Sequence, residues 1–257
     1  MKIENYGTGE RCAEAMRLLI DRSGKESSPG VERVILLPIP STRDGVHLCG
    51  SEITLSDILR DVGVGDLVLG YSIPDSVAEY ITSRGAHLCD AARDEEFLDE
   101  NARLTAIGTL EYLLTVSSRA PQDLTVGIIG YGRIGGHLAR ILLFLGAKII
   151  IYTSKNLTRV ELGALGVENR GIDYSVPDLG DTDALDVLIN TAPTRLDGCF
   201  PDGKIPPTLE VIELASGNNF GGVVGVVKLP SVPERSYPKS AGRAYFRAIE
   251  RYMRGDF

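Results

Sequence analysis

Residues 126–156, VGIIGYGRIGGHLARILLFLGAKIIIYTSKN, determine how the rest of this chain is read. A continuous apolar run ends on Gly130, GYGRIG at 130–135 fits the spacing G-x-G-x-x-G, an amphipathic helical pattern follows, and a second apolar run closes on Thr153. The six-residue spacing alone is weak. A strand before it, a helix after it and a second strand at the usual distance make it a specific signal for a dinucleotide site. Gly130 supplies the tight turn, Gly132 leaves room for a pyrophosphate, and Gly135 lets helix and strand approach closely. The helix start, with Arg133 and Ile134, is expected to present its N–H groups to an anion.

The end of the second run narrows the ligand. Such a strand commonly ends on Asp or Glu, which holds the ribose hydroxyls of an adenosine. Here Thr153, Ser154 and Lys155 stand in that place, with Arg159 on the next helix. A carboxylate about 4 Å from a 2′-phosphate would be repelled by roughly 4 kcal/mol per charge pair at an effective dielectric near 20. Hydroxyls and cations would not, so the expected cofactor is NADP(H) in preference to NAD(H). Ligands of open α/β sheets lie outside the carboxyl ends of the strands. That rule adds Asn190, Thr191, Ala192 and Pro193 on one strand end, and Ala215 and Ser216 on the next, as neighbours of ribose and nicotinamide.

Outward from this core, strand and helix signals alternate along the 257 residues. Before it, GERCAEAMRLLIDRSG, TLSDILRDVG with Thr54 near its cap, and PDSVAEYITSRG opened by Pro74 have helical spacing. VERVILLPIP, DLVLGYS and AHLCD read as the strands among them. EEFLDENARLTAIGTLEYLLTVSS is a longer helical pattern. After the glycine-rich unit come the helix LTRVELGALG, the strands ALDVLINTAP and TLEVIELAS, and a short last helix in AGRAYFRAIERYMRGD with an arginine-rich outer face. Alternation of this kind predicts an α/β protein of two Rossmann/flavodoxin-like parallel-sheet domains with a cleft between them. Residues 1–98 with 237–257 would form an N-terminal substrate or catalytic domain closed by the last helix. Residues 99–236 would form the nucleotide-binding domain, including an interdomain helix at 99–117 that hinges near Pro121.

The bulk numbers exclude other classes. A net charge of -8 disfavours nucleic-acid or anionic-membrane binding as a global property, and 43% hydrophobic with 24% charged residues describes an ordinary folded chain. Cys12, Cys49, Cys89 and Cys199 are scattered, with no CxxC or Cys/His spacing, so reduced thiols and no metal site are expected. No segment approaches about 18 uninterrupted apolar residues. With charges in MKIENYGTGERC, a soluble cytoplasmic protein is the expectation.

GYGRIGGHLARILLFLGAKIIIYTSK resembles the nucleotide-binding core of the D-2-hydroxyacid dehydrogenase superfamily. A closer resemblance is to the A-component family of dipicolinate synthase. It rests on LLPIPSTRDG, ENARLTAIGT, INTAP, ELASG and LPSVPERSYPKSAG, which cover most of the chain in order. The resemblance implies an NADP-linked oxidation of a dihydrodipicolinate-type small carboxylate in spore-forming cells, a homodimer, and a flavoprotein-like second subunit. Two departures stand out. Where ordinary 2-hydroxyacid dehydrogenases carry an arginine and, later, a histidine, this chain has Ala215-Ser216-Gly217 and Lys228-Leu229-Pro230. Where the dipicolinate synthase A-component family has a proline-bearing run after its strand end, this chain has Asn218 and Asn219.

Candidates for substrate binding are Thr42 and Arg43, since Arg offers two parallel donors to a carboxylate, and Lys239 and Ser240 before the last helix. Ser240 is alternatively a helix cap. His47 and Lys239 are the candidates for catalysis, His47 because it titrates near neutral pH. Asp44, Glu52 and Glu111 have no spacing that marks a carboxylate pair, and no catalytic base is assigned. Two other functions stay open: a divergent 2-hydroxy or 2-keto acid reductase, and a catalytically silent NADP-binding regulatory subunit.

Overall fold

The computed structural model describes residues 2–23, 30–180 and 182–254. In chain order the elements are β1 (Lys2–Asn5), α1 (Glu10–Ser23), β2 (Arg33–Leu36), α2 (Leu55–Leu59), β3 (Asp66–Gly70), α3 (Asp75–Ser83), β4 (His87–Asp90) and α4 (Glu95–Val116). There follow β5 (Thr125–Ile129), α5 (Arg133–Phe144), β6 (Lys148–Thr153), α6 (Asn156–Ala164), β7 (Glu168–Gly171), β8 (Val187–Asn190), β9 (Glu210–Glu213), β10 (Val227–Lys228), α7 (Val232–Ser236) and α8 (Pro238–Arg254). The chain divides into two compact units, Met1–Leu104 with Pro233–Phe257, and Thr105–Val232. Both units are α/β with one parallel sheet each, as the alternating pattern predicts.

The first unit holds a sheet of order β1-β2-β3-β4. Successive side chains of a strand point to opposite faces, and here they feed two cores. Val34, Leu36, Leu67 and Leu69 pack with Cys12, Ala15 and Leu19 of α1 and with Ala244, Tyr245, Ala248 and Ile249 of α8. Ile35, Leu37 and Val68 pack on the other face with Leu55 and Leu59 of α2 and Ile81 of α3. Thr54 caps α2 by accepting from the Asp57 amide, and α3 begins directly after Pro74. The last helix is longer than its periodicity predicts, because it starts at Pro238, whose fixed φ suits a first helical turn. Ser240 therefore lies inside the first turn and does not occupy the cap position. Helices α1 and α8 meet closely at Gly242. A Cβ there would lie 2.6 Å from the Arg11 carbonyl oxygen, so α8 needs glycine to approach α1. The arginines of α8 are paired, Arg247 with Glu100 at 2.9 Å and Arg251 with Asp94 at 2.7 Å.

The second unit holds a six-stranded sheet of order β10-β9-β8-β5-β6-β7. Read from β7, and numbering within the unit, this is strand order 3-2-1-4-5-6, that of a dinucleotide-binding domain. Val126, Ile128, Ile149, Ile151, Val187 and Ile189 face α4, α5 and α6, while Ile150, Tyr152, Leu188 and Val211 line a second core with Phe200 and Phe220. Each fully buried aliphatic side chain contributes roughly 1.5–3 kcal/mol. Strand order reverses between β5 and β8, which places the switch point at the ends of those two strands. No helix among the described residues is long and apolar enough to cross a membrane.

Candidate functional site

The switch point is built by the glycine-rich turn. β5 runs out at Ile129, Gly130 turns with φ +89°, and Gly132 is the N-cap of α5. A Cβ on Gly135 would lie 2.3 Å from the Gly130 carbonyl oxygen, and one on Gly130 would lie 2.8 Å from Thr191 Oγ1. These two glycines are required by packing. Gly132 is different: among the described residues nothing lies within 4 Å of where its Cβ would be. Ile134 packs its side chain onto the core, so its contribution at the turn is its amide. An open, Cβ-free position at the N-terminus of a twelve-residue helix is the cradle a pyrophosphate requires.

At the end of β6, Thr153 is buried and its Oγ1 accepts from the Lys155 amide at 3.3 Å, so its hydroxyl shapes the turn. Ser154 and Lys155 are exposed, with Lys155 at the N-cap of α6. Arg159 folds back over β7. Its Nη1 lies 2.9 Å from where a Gly171 Cβ would be, and Gly171 pairs with Thr153 in the sheet. The Arg159 Nε is buried without a hydrogen bond. Lys155 and Arg159 thus set positive charge at the strand end where a ribose-binding carboxylate would otherwise sit.

The side chains at the ends of β8 and β9 do more local work than the sequence suggests. Thr191 Oγ1 donates to the Ile129 carbonyl at 2.9 Å, joining the β8 end to the glycine turn. Asn190, fully buried, accepts from the Ala192 amide at 2.9 Å and donates to the Ala192 carbonyl at 3.0 Å and to Glu213 Oε1 at 2.9 Å. Pro193 and Ser216 are exposed, and Ala192 and Ala215 are half-buried. Glu213 escapes a reading of the sequence, where its signal is only a charged residue closing an apolar strand. Burial raises its pKa, and the nearby amides of Asn219, Asn190 and Ala215 and the Lys228 charge draw it partly back.

In the other unit, Thr42, Arg43 and His47 share the loop after β2, and Asp44 organises it. Asp44 accepts from the Val46 and His47 amides at 2.9 and 2.8 Å, from Thr42 Oγ1 at 3.1 Å, and stands 2.8 Å from His47 Nδ1. The His47 ring, then the His47 and Val46 amides, hold the Asp44 carboxyl far below the usual range. Asp44 in turn raises His47. The three-residue spacing of Asp44 and His47 was the available signal. Arg43 Nε lies 3.4 Å from Cys49 Sγ. Lys239 and Ser240 are exposed in the first turn of α8, and no described bond joins them to this loop. The cysteines are free; burial raises Cys12 to about 11 and Cys89 and Cys199 to about 12. No cluster of three potential metal ligands occurs among the described residues.

Residues 86–192 match the family model of the D-isomer specific 2-hydroxyacid dehydrogenase NAD binding domain. No curated protein matches the sequence. Among solved structures, the A component of dipicolinate synthase from Bacillus halodurans is 21% identical with a TM-score of 0.76, over 98% of this chain and 96% of that one. The corresponding component from Bacillus subtilis is 18% identical with a TM-score of 0.77, over 100% and 98%. An L-alanine dehydrogenase is 14% identical with a TM-score of 0.53, over 98% and 88%. In fold, then, the whole chain is similar to the A component of dipicolinate synthase, and residues 86–192 carry the sequence pattern of a D-isomer specific 2-hydroxyacid dehydrogenase NAD binding domain.

Proposed function

We propose that this chain is an NADP-dependent oxidoreductase acting on a small carboxylate of the dihydrodipicolinate type. The observation that carries the reading is the pairing of an open cradle at Gly132 with Lys155 and Arg159 at the end of β6. The amides that open α5 would hold the diphosphate, and Ser154, Lys155 and Arg159 the 2′-phosphate. The strand ends at 190–193 and 215–216 would receive the nicotinamide half. When bound, the cofactor supplies a hydride acceptor; the protein supplies orientation and charge. Thr42, Arg43, Lys239 and Ser240 are the carboxylate-binding groups of the proposal. His47, whose ring stands 2.8 Å from the Asp44 carboxylate, and Lys239 are the candidates for accepting the proton that such an oxidation would release.

The missing arginine and histidine at 215–217 and 228–230 argue against ordinary 2-hydroxyacid chemistry. The test is to follow NADPH formation from NADP⁺, against NAD⁺, with dihydropyridine dicarboxylates, with and without a flavoprotein partner. Turnover with a lower KM for NADP⁺ supports the proposal. Cofactor binding without turnover under any of these conditions would replace it with the regulatory reading.

A further inference from the structure

Glu213 is a carboxyl group buried to 3% exposure at the end of β9, in a fold where the strand ends form the ligand edge. Its Oε1 is the shared acceptor of two donors, Asn190 Nδ2 at 2.9 Å and the Ala215 amide at 2.9 Å, while Oε2 makes no hydrogen bond. Asn190 is itself clamped to both backbone groups of Ala192. One oxygen therefore ties the turn leaving β8 to the turn leaving β9. The second turn is held further along by Asn219, whose Nδ2 donates to the Ser216 carbonyl at 3.2 Å and whose backbone carbonyl accepts from the Leu196 amide at 2.6 Å. Asn218 accepts from Lys228 Nζ at 2.9 Å. The two asparagines that depart from the proline-bearing run thus belong to the same brace.

We propose that Glu213, through Asn190 and the Ala215 amide, is a positioning residue for the nicotinamide half of the cofactor, holding the 190–193 and 215–217 turns at a fixed separation. The inference rests on the NADP reading above. A buried acid is costly in an apolar strand unless its oxygens find hydrogen-bond donors. Here it accepts two hydrogen bonds that come from two different strand ends. Its effect is confined to the turns it joins. The adenosine end of the cofactor, at β6, has no bond to the brace among the described residues.

The test compares two probes on the purified chain: NADPH, followed by nicotinamide fluorescence, and 2′,5′-ADP, which lacks the nicotinamide half, followed by calorimetry. Glu213→Leu is expected to weaken NADPH at least tenfold and 2′,5′-ADP less than twofold, with Glu213→Gln restoring NADPH affinity because its carbonyl oxygen accepts the same two bonds. Asn190→Ala, which removes the donor from the other side, is expected to reproduce the Leu pattern should the Leu variant fold poorly. Equal weakening of both probes, unchanged NADPH binding, or a Gln variant as weak as the Leu one would each overturn the assignment. A wild-type chain that binds neither probe would overturn the cofactor reading as well, which separates the two failures.

Discussion

Two glycine-bearing turns join a first strand to a first helix in this molecule, one in each unit, and they are finished differently. Between β1 and α1, Gly9 turns with φ +88°, and a Cβ there would lie 2.3 Å from Glu234 Oε1. That carboxylate accepts from the Arg11 amide at 3.3 Å and stands 2.9 Å from Arg11 Nε, the guanidinium being 6% exposed. The chain has answered the helix N-terminus with its own anion. Between β5 and α5, a Cβ on Gly132 would meet no described atom within 4 Å apart from its own neighbours along the chain. A glycine-bearing turn becomes a ligand cradle only when the protein leaves the space over it open; where a carboxylate 223 residues away fills it, the turn at Gly7–Gly9, which lacks the third glycine, is a structural joint.

Filling the open cradle puts this contrast to its hardest test. Gly132→Asp puts a carboxylate at an N-cap with extended backbone, where Asp is a favoured residue, so thermal stability should hold or rise slightly. Affinity for NADPH by calorimetry should fall by about a hundredfold or more, given roughly 4 kcal/mol per like-charge pair at close range. Retained affinity would end the assignment of the cradle. The reciprocal change empties the filled one. Glu234→Ala strands the buried Arg11 charge and should cost about 2–3 kcal/mol in a urea melt, below the range for a fully buried pair because Glu234 is 28% exposed. Nucleotide affinity should not move.

At the adenosine end, Lys155→Glu and Arg159→Leu should each narrow the preference for NADPH over NADH about tenfold, roughly 1.4 kcal/mol. The smallest effect lies in the exposed Asp44–His47 pair. Its bond raises His47, so any stability from the histidine is fully present below its unfolded pKa and is lost as pH rises through the raised value. An NMR titration of Asp44→Asn should return His47 toward 6.5; an unchanged midpoint would mean that the pair does not form in solution.

Seven of the ten described strands are legible in the sequence because they are apolar and mostly central. The three that are not, β1, β7 and β10, are all sheet edges, KIEN, ENRG and VK, only partly buried and without a clear alternation. The glycine turn was readable because its strand, spacing and helix are contiguous. Glu213 with Asn190 and Glu234 with Arg11 were not, since each pair meets through the sheet or across the chain, and no local period records that. Asp44 and His47 fell between these cases: their spacing was visible, but only the turn geometry at 42–48 brings the ring and the carboxylate together. Gly24, Gly255 and Asp256, where the sequence pattern ends two helices, lie outside the described residues.

The proposed function depends on the amides opening α5 holding a dinucleotide diphosphate, and its NADP preference on Lys155 and Arg159 meeting a 2′-phosphate. Calorimetric titration of the wild-type chain with NADPH and then NADH tests this without any need for a substrate. Saturable one-to-one binding is expected, with NADPH at least tenfold tighter. Absence of binding by both, or tighter binding of NADH, would contradict it.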